Sequence, residues 1–328
     1  MRSSSLAFAP ATIGNVSIGF DILGMAISGV GDQIKLTPRK DKQVRFVALA
    51  GTKVPDEPAK NTAGAALLAM IKGEKFTHGF DVELRKGIPL GSGMGGSAAS
   101  AVAAVVAAQV YARSSMTKES LLKYALEGEK VASGAAHPDN VAPSLFGGLT
   151  LASMNFSKCP VVVLPFPRQI SWALVHPDVQ IKTEFARGIL KKELSLSEYV
   201  DQSGRLASFI SGLHSKNMDH IRQGFADRVI EPQRAHLIPA FGEIKTMVLS
   251  SKNTLGFSIS GSGPSVFVWI NEKASRPIRA KAMAKKMQVE FSKKNITSQI
   301  YFGLGASSGA RIINNWLPEN KTILSNSR

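Results

Sequence analysis

The chain is predicted to be an α+β protein of two domains. Three observations carry that prediction. Its 328 residues exceed one average domain and fall short of three. Strand-like and helix-like runs follow one another in mixed rather than strictly alternating order. The segment VVVLPFPRQISWALVHP at 161–177, punctuated by prolines, holds two strand candidates around a crossing near residue 168. We therefore expect domains at 1–168 and 169–328.

In the first half, QIKLTP (33–38), QVRFVAL (43–49) and FDVELRK (80–86) have the alternation or β-rich composition of strands. NTAGAALLAMIKG (61–73), SAASAVAAVVAAQVYAR (97–113) and TKESLLKYALEGEKVA (117–132) read as helices, the last with Thr117 as its N-cap. GGLTLAS (147–153) leads into the crossing. Beyond it, helices are expected around 184–192, 197–215 and 274–294, and strands at 255–260, 264–270 and 296–303. The tail from Asn314 to Arg328 is polar and is expected to be loosely attached. No internal repeat interrupts this pattern.

Composition narrows the function classes. Hydrophobic residues make up 44% and charged residues 20%, the balance of a globular protein with a proper core. The longest apolar run, AASAVAAVVAAQVYA at 98–112, is too short to span a bilayer and reads as a buried helix, so no membrane partner is expected. Cys159 is the single cysteine and cannot form an internal disulfide; MRSSSLAFAPATIG has no long apolar run ahead of a cleavage site. A cytoplasmic location is the expectation. The net charge is +16, from 40 basic and 24 acidic residues. Its Lys and Arg are scattered, without an aromatic-interleaved stripe, which favours small anionic ligands over nucleic acid.

The loop PLGSGMGGSAAS (89–100) half-spells two nucleotide signatures. Gly91, Gly93 and Gly96 satisfy GxGxxG, yet Pro89 separates them from the preceding strand, and no second strand carries an acid about 20 residues on. A Walker loop needs lysine after Gly96, where Ser97 stands. No HRD or DFG triplet occurs, so a protein-kinase glycine loop is unsupported. What remains is a glycine turn whose N–H groups approach an anion, ahead of a helix that presents its positive end. A tight turn with a small-residue helix packed behind it is the alternative reading of the loop alone.

Three further segments are rich in chemically capable residues: APATIGNVSIGFDILGMAI (9–27), EKVASGAAHPDNVAPSLFGG (129–148) and SISGSGPSVFVW (258–269). With the loop, they resemble the GHMP kinases, the family of galactokinase, homoserine kinase, mevalonate kinase and phosphomevalonate kinase. NVSIGFDILGMA, HPDNVAPSLFGG, KTEFAR (182–187) and EPQR (231–234) narrow the resemblance to the homoserine kinase branch, over about residues 7–303. The resemblance implies a first domain like the second domain of ribosomal protein S5 and a ferredoxin-like second domain. It also implies ATP-dependent phosphorylation of the side-chain hydroxyl of L-homoserine to O-phospho-L-homoserine, on the route to threonine. The alternative is another family member, a mevalonate-type or sugar kinase. Family members are often dimers, so a homodimer is expected.

Site residues follow from the same resemblance. Pro89, Leu90, Gly91, Ser92, Gly93, Met94, Gly95, Gly96, Ser97, Ala98 and Ala99 form the ATP loop, and Asn61 lies near the adenosine unless it only caps the following helix. Ser97 and Glu129 match the Mg²⁺ positions, a hydroxyl and a carboxylate suited to a hard cation. Arg187 and Arg234 match the substrate-carboxylate arginines, Asp21 the ammonium partner and Asn15 a polar contact. His137 and Asp139 lie near the hydroxyl; Asp139 orients it or takes its proton, and His137 serves equally as a turn residue before Pro138. Two departures stand out. Gly96 replaces the first of two serines, and Gly14 stands where a small non-glycine residue is commoner, which is expected to loosen that loop.

Overall fold

The computed structural model describes residues 4–50, 54–134, 137–156, 160–272 and 275–318. Cys159 and the tail beyond residue 318 lie outside the described residues. In the first half the strands are β1 (Ser5–Gly14), β2 (Leu23–Pro38), β3 (Val44–Ala50), β4 (Phe80–Arg85), β5 (Leu149–Ala152) and β6 (Val161–Leu164). The helices are α1 (Thr62–Gly73), α2 (Gly96–Ala108), α3 (Lys118–Ser133) and α4 (Pro138–Phe146).

The second half contains β7 (Ile170–Pro177), α5 (Thr183–Gly188), α6 (Leu196–Ser215), α7 (Met218–Gly224), α8 (Glu231–Arg234) and α9 (Phe241–Leu249). It continues with β8 (Thr254–Ile259), β9 (Val266–Asn271), α10 (Ile278–Ser292), β10 (Ser298–Leu304) and β11 (Arg311–Ile312).

The first sheet runs β11-β1-β2-β4-β3, with β5 paired to the start of β2 and β6 to β5. Among the described residues, only β3 and β4 pair in parallel, as their connection through α1 permits. The chain leaves this sheet after Leu164 and enters the second at Ile170, but it comes back: β11 pairs with Ala7 and Phe8 of β1. Residues Ala98 to Ala108 of α2 are all buried, because α2 packs on β1 and β2 and is flanked by α1, α3 and α4. Ala and Val suit such a helix, since small side chains let five neighbours approach closely. It ends at Ala108 rather than running to 113; a 3₁₀ turn follows, and the Gln109 side chain bonds the Val106 carbonyl.

The second sheet is antiparallel throughout in the order β10-β7-β9-β8, which is the ferredoxin-like order 4-1-3-2. Strand alternation sorts its residues onto two faces. Trp172, Leu174, Phe267 and Trp269 join Phe209 of α6 and the core of the first sheet. Ala173, Val175, Val266 and Val268 pack with Ile244 of α9 and Met287 of α10. The two domains thus share one apolar core along a broad seam.

β1 and the first half of β2 lie outside the strands the sequence predicts. Both are buried almost throughout, so they lack the polar alternation that marks a half-exposed strand. The helix expected at 184–192 is shorter, at Thr183–Gly188.

Candidate active site

A cavity of about 380 Å³ is lined by residues from both halves of the chain. Its first wall is the glycine loop. Gly91, Gly93 and Gly95 have φ of +64°, +73° and +67°, which only glycine adopts freely, and Gly95 is the N-cap of α2. The loop is clamped from both sides. Thr12 of β1 bonds the Met94 carbonyl at 3.0 Å, while Ser260 donates to Gly93 O at 2.7 Å and Ser265 to Ser92 O at 2.5 Å. The segment Ser260–Ser265 is the late Gly-x-Gly-Pro loop, so the second domain holds the anion loop in place.

The second wall is the segment between β1 and β2. Asn15, Val16, Ser17 and Asp21 all have positive φ, a conformation costly for Val16 in particular. Asn15 over-determines it: its amide donates to Gly261 O at 2.9 Å and accepts from Asp21 N at 3.1 Å. Asp21 then forms a two-bond ion pair with Arg187, at 2.5 and 3.0 Å, and lies 3.6 Å from His137 Nδ1. Arg234 is buried and bonds Ala186 O at 3.0 Å and Gly261 O at 3.2 Å. The buried Nε of Arg187 and the buried hydroxyl of Ser92 have no partner among the described residues.

At the start of α4, Asp139 is buried beside Asn140. Burial pushes its carboxyl up to about 7, and Asp21 adds to the rise. Glu129, on α3, accepts from Ser97 at 3.1 Å; burial pushes it up to about 8, with Asp139 contributing and the Ser97 bond opposing. A hydroxyl beside a buried carboxylate raised by desolvation is a donor set that suits a hard cation. Gly14 has a packing reason at the start of α4. A Cβ there would lie 2.7 Å from Asp139 Oδ2 and 2.8 Å from Asn140 Nδ2, so the glycine makes room for the acid.

Of the expected site residues, Asn15, Asp21, Asn61, Pro89, Leu90, Gly91, Ser92, Gly93, Gly95, Gly96, Ser97, Glu129, His137, Asp139, Arg187 and Arg234 all line the cavity. Met94, Ala98 and Ala99 do not; their side chains are fully buried in the core behind the loop. Asn61 caps α1, accepting from Ala63 and Gly64, while also facing the cavity. His137 is the backbone N-cap of α4 without a side-chain cap bond, so turn and site positions coincide.

Among the lining residues that the sequence does not mark as site residues, four polar ones bear on the geometry. Thr183 and Ser262 bring hydroxyls 3.3 Å apart, and Asn140 accepts from Thr12 at 2.7 Å. The fourth is Lys86, just past β4. It donates to Gly96 O at 2.8 Å and to Ser100 at 3.0 Å, and pairs with Asp32. The loop has no lysine in sequence, yet one sits beneath it in space.

A glycine loop at a helix N-terminus, two arginines and buried acids lining one cavity fit the layout of a small-molecule kinase. The GHMP kinases N terminal domain model matches residues 61–148, and the GHMP kinases C terminal model matches 207–289. A homoserine kinase of Xanthomonas campestris pv. campestris (strain B100) is 40% identical over 309 residues, covering 94% of this chain and 93% of that protein. One from Chlorobaculum tepidum is 39% identical over 320 residues, covering 93% and 97%. The crystal structure of homoserine kinase from Cytophaga hutchinsonii ATCC 33406 matches with a TM-score of 0.89 at 37% identity, covering 95% of this chain and 98% of that one. The chain belongs to the GHMP kinase family.

Proposed function

We propose that the protein is a homoserine kinase, transferring the γ-phosphoryl group of ATP to the side-chain hydroxyl of L-homoserine to give O-phospho-L-homoserine and ADP. The observation that carries this reading is the convergence of Arg187, Arg234 and Asp21 in the cavity that also holds the glycine loop. An α-amino acid brings a carboxylate for the arginines and an ammonium for Asp21. A sugar brings neither, and mevalonate brings only the carboxylate. The curated relatives are homoserine kinases, which supports the same choice.

In this reading, the backbone N–H groups of the glycine loop, the Ser92 hydroxyl and the start of α2 receive the ATP phosphates. Ser97 and Glu129 would be the protein's donors to Mg²⁺, a hydroxyl and a carboxylate that suit a hard cation. Among the described residues no cluster of three or more His, Cys, Asp or Glu is arranged to hold a metal by itself. Bound Mg²⁺ supplies neutralisation of the phosphate charge. Asp139, with its carboxyl near 7, aligns the homoserine hydroxyl and accepts its proton late, because a loose transition state asks little of a base. His137 backs Asp21. The ATP unit is residues 1–168 and the second unit 169–328, working as a cytoplasmic homodimer. Among the described residues no helix is long and apolar enough to cross a membrane.

The test is coupled ADP release with ATP, Mg²⁺ and a panel of homoserine, threonine, serine and mevalonate. Preferred turnover of homoserine is expected; its absence sinks the assignment. The net charge of +16 motivates a control for nucleic acid, filter binding of RNA at two salt concentrations. Tight, steeply salt-sensitive binding without turnover would replace the kinase reading.

A further inference from the structure

Phe20 sits between Gly19 and Asp21 in the segment that joins β1 to β2, half-buried and outside the lining of the cavity. Its ring faces both substrate arginines: the Arg187 guanidinium carbon is 5.4 Å from the ring centroid, and that of Arg234 is 5.2 Å. Two guanidiniums that converge on one carboxylate must lie close together, and their charges oppose that. Burial pushes Arg234 down to about 10, and the neighbouring Arg187 adds to the fall. Their other bonds tie each to a different partner. Arg234 is held by backbone carbonyls at Ala186 and Gly261, and Arg187 by Asp21, the ammonium partner in the homoserine reading.

An aromatic ring suits this place for a specific reason. Its negative face attracts both cations, yet it accepts no competing ion pair as a carboxylate would, so the forks stay available to the ligand. An aliphatic side chain of similar bulk fills the space without the attraction.

We propose that Phe20 is the positioning residue of the carboxylate clamp, its ring holding Arg187 and Arg234 together so that both meet one substrate carboxylate. The inference rests on the homoserine reading and deepens it. Steady-state kinetics of Phe20→Leu and Phe20→Tyr test it. Phe20→Leu is expected to raise the homoserine KM about 10-fold, leave the ATP KM unchanged and keep kcat within about twofold. Its kcat/KM for 3-aminopropan-1-ol, which keeps the ammonium and hydroxyl but lacks the carboxylate, should stay within about twofold of wild type. Phe20→Tyr retains an aromatic face and should retain the wild-type homoserine KM.

A loss of equal size for both substrates, an unchanged homoserine KM in Phe20→Leu, or failure of Phe20→Tyr to retain it would overturn the proposal. If the wild-type protein does not phosphorylate homoserine, it is the functional reading that falls. The clamp is then judged by calorimetric binding of L-2-aminobutyrate, homoserine without its hydroxyl. Binding about 10-fold weaker in Phe20→Leu supports the clamp, and equal or undetectable binding in both overturns it.

Discussion

Replacing Lys86 with methionine isolates what supports the anion loop. The Lys86 side chain is 4% exposed and that of Asp32 is 0% exposed, so the pair lies outside the reach of solvent screening. Asp32 also accepts from Gly87 N at 3.1 Å, Ile88 N at 3.3 Å and Ser100 at 2.7 Å, tying β2 to the loop and to α2. Methionine preserves the stem and removes the cation, stranding a buried carboxylate. Breaking such a pair costs about 3–5 kcal/mol, a fall in Tm of about 6–20 °C for a unit of this size. Adding Asp32→Asn removes the stranded charge while retaining an acceptor, and should return most of the loss. Calorimetric unfolding of both variants is the assay. A Lys86→Met protein within about 1 kcal/mol of wild type would refute the argument. So would a double variant as unstable as the single one, because the loss would then come from packing.

Arg234→Ala should raise the homoserine KM far more than the ATP KM; equal effects in steady-state kinetics would remove Arg234 from the carboxylate site. Glu129→Gln should lower kcat measured with Mg²⁺ and weaken the dependence of rate on Mg²⁺ concentration, and wild-type rates would remove Glu129 from the metal. His78 is buried among Phe76, Phe80 and Tyr111 with neither ring nitrogen bonded among the described residues, and burial holds its folded pKa below the ordinary 6.5. The unfolded chain therefore takes up the proton first, so this group's stability is present above about pH 6.5 and lost as pH falls below it. His78→Phe should flatten the acid limb of a pH–Tm profile.

How far the sequence was legible depended on exposure. Helix 117–132 and strand 80–86 announced themselves because one face meets water and the other does not. β1 and early β2 are buried on both faces and carry no such alternation, so the sequence marks them only as a motif. The site divides differently. Asp21 and Arg187 are 166 residues apart and became legible only through family resemblance, since nothing local marks either as half of a pair. Lys86 carries no local signal, because LRK at a strand end looks like any solvated edge. Phe20 was hidden for a related reason: an aromatic's neighbours are set by tertiary packing, and single residues in a glycine-rich segment show none of it.

The Asp21–Arg187 pair bears most directly on selectivity. Without substrate the arginine's fork is satisfied by the aspartate, at 25–29% side-chain exposure, so neither charge waits unpaired in the cleft. A ligand carboxylate that takes the fork must release Asp21, and that release is costly unless the ligand also brings a cation. A zwitterion replaces one ion pair with two and leaves nothing stranded. A carboxylate alone strands Asp21, and a neutral polyol leaves the pair closed with nothing to open it. Selectivity of this kind arises as much from what the wrong ligand leaves unsatisfied as from what the right one touches. In the homoserine reading, Asp21 answers the ammonium and Arg187 the carboxylate from opposite halves of the chain, so a ligand carrying both charges would bridge them beside the glycine loop.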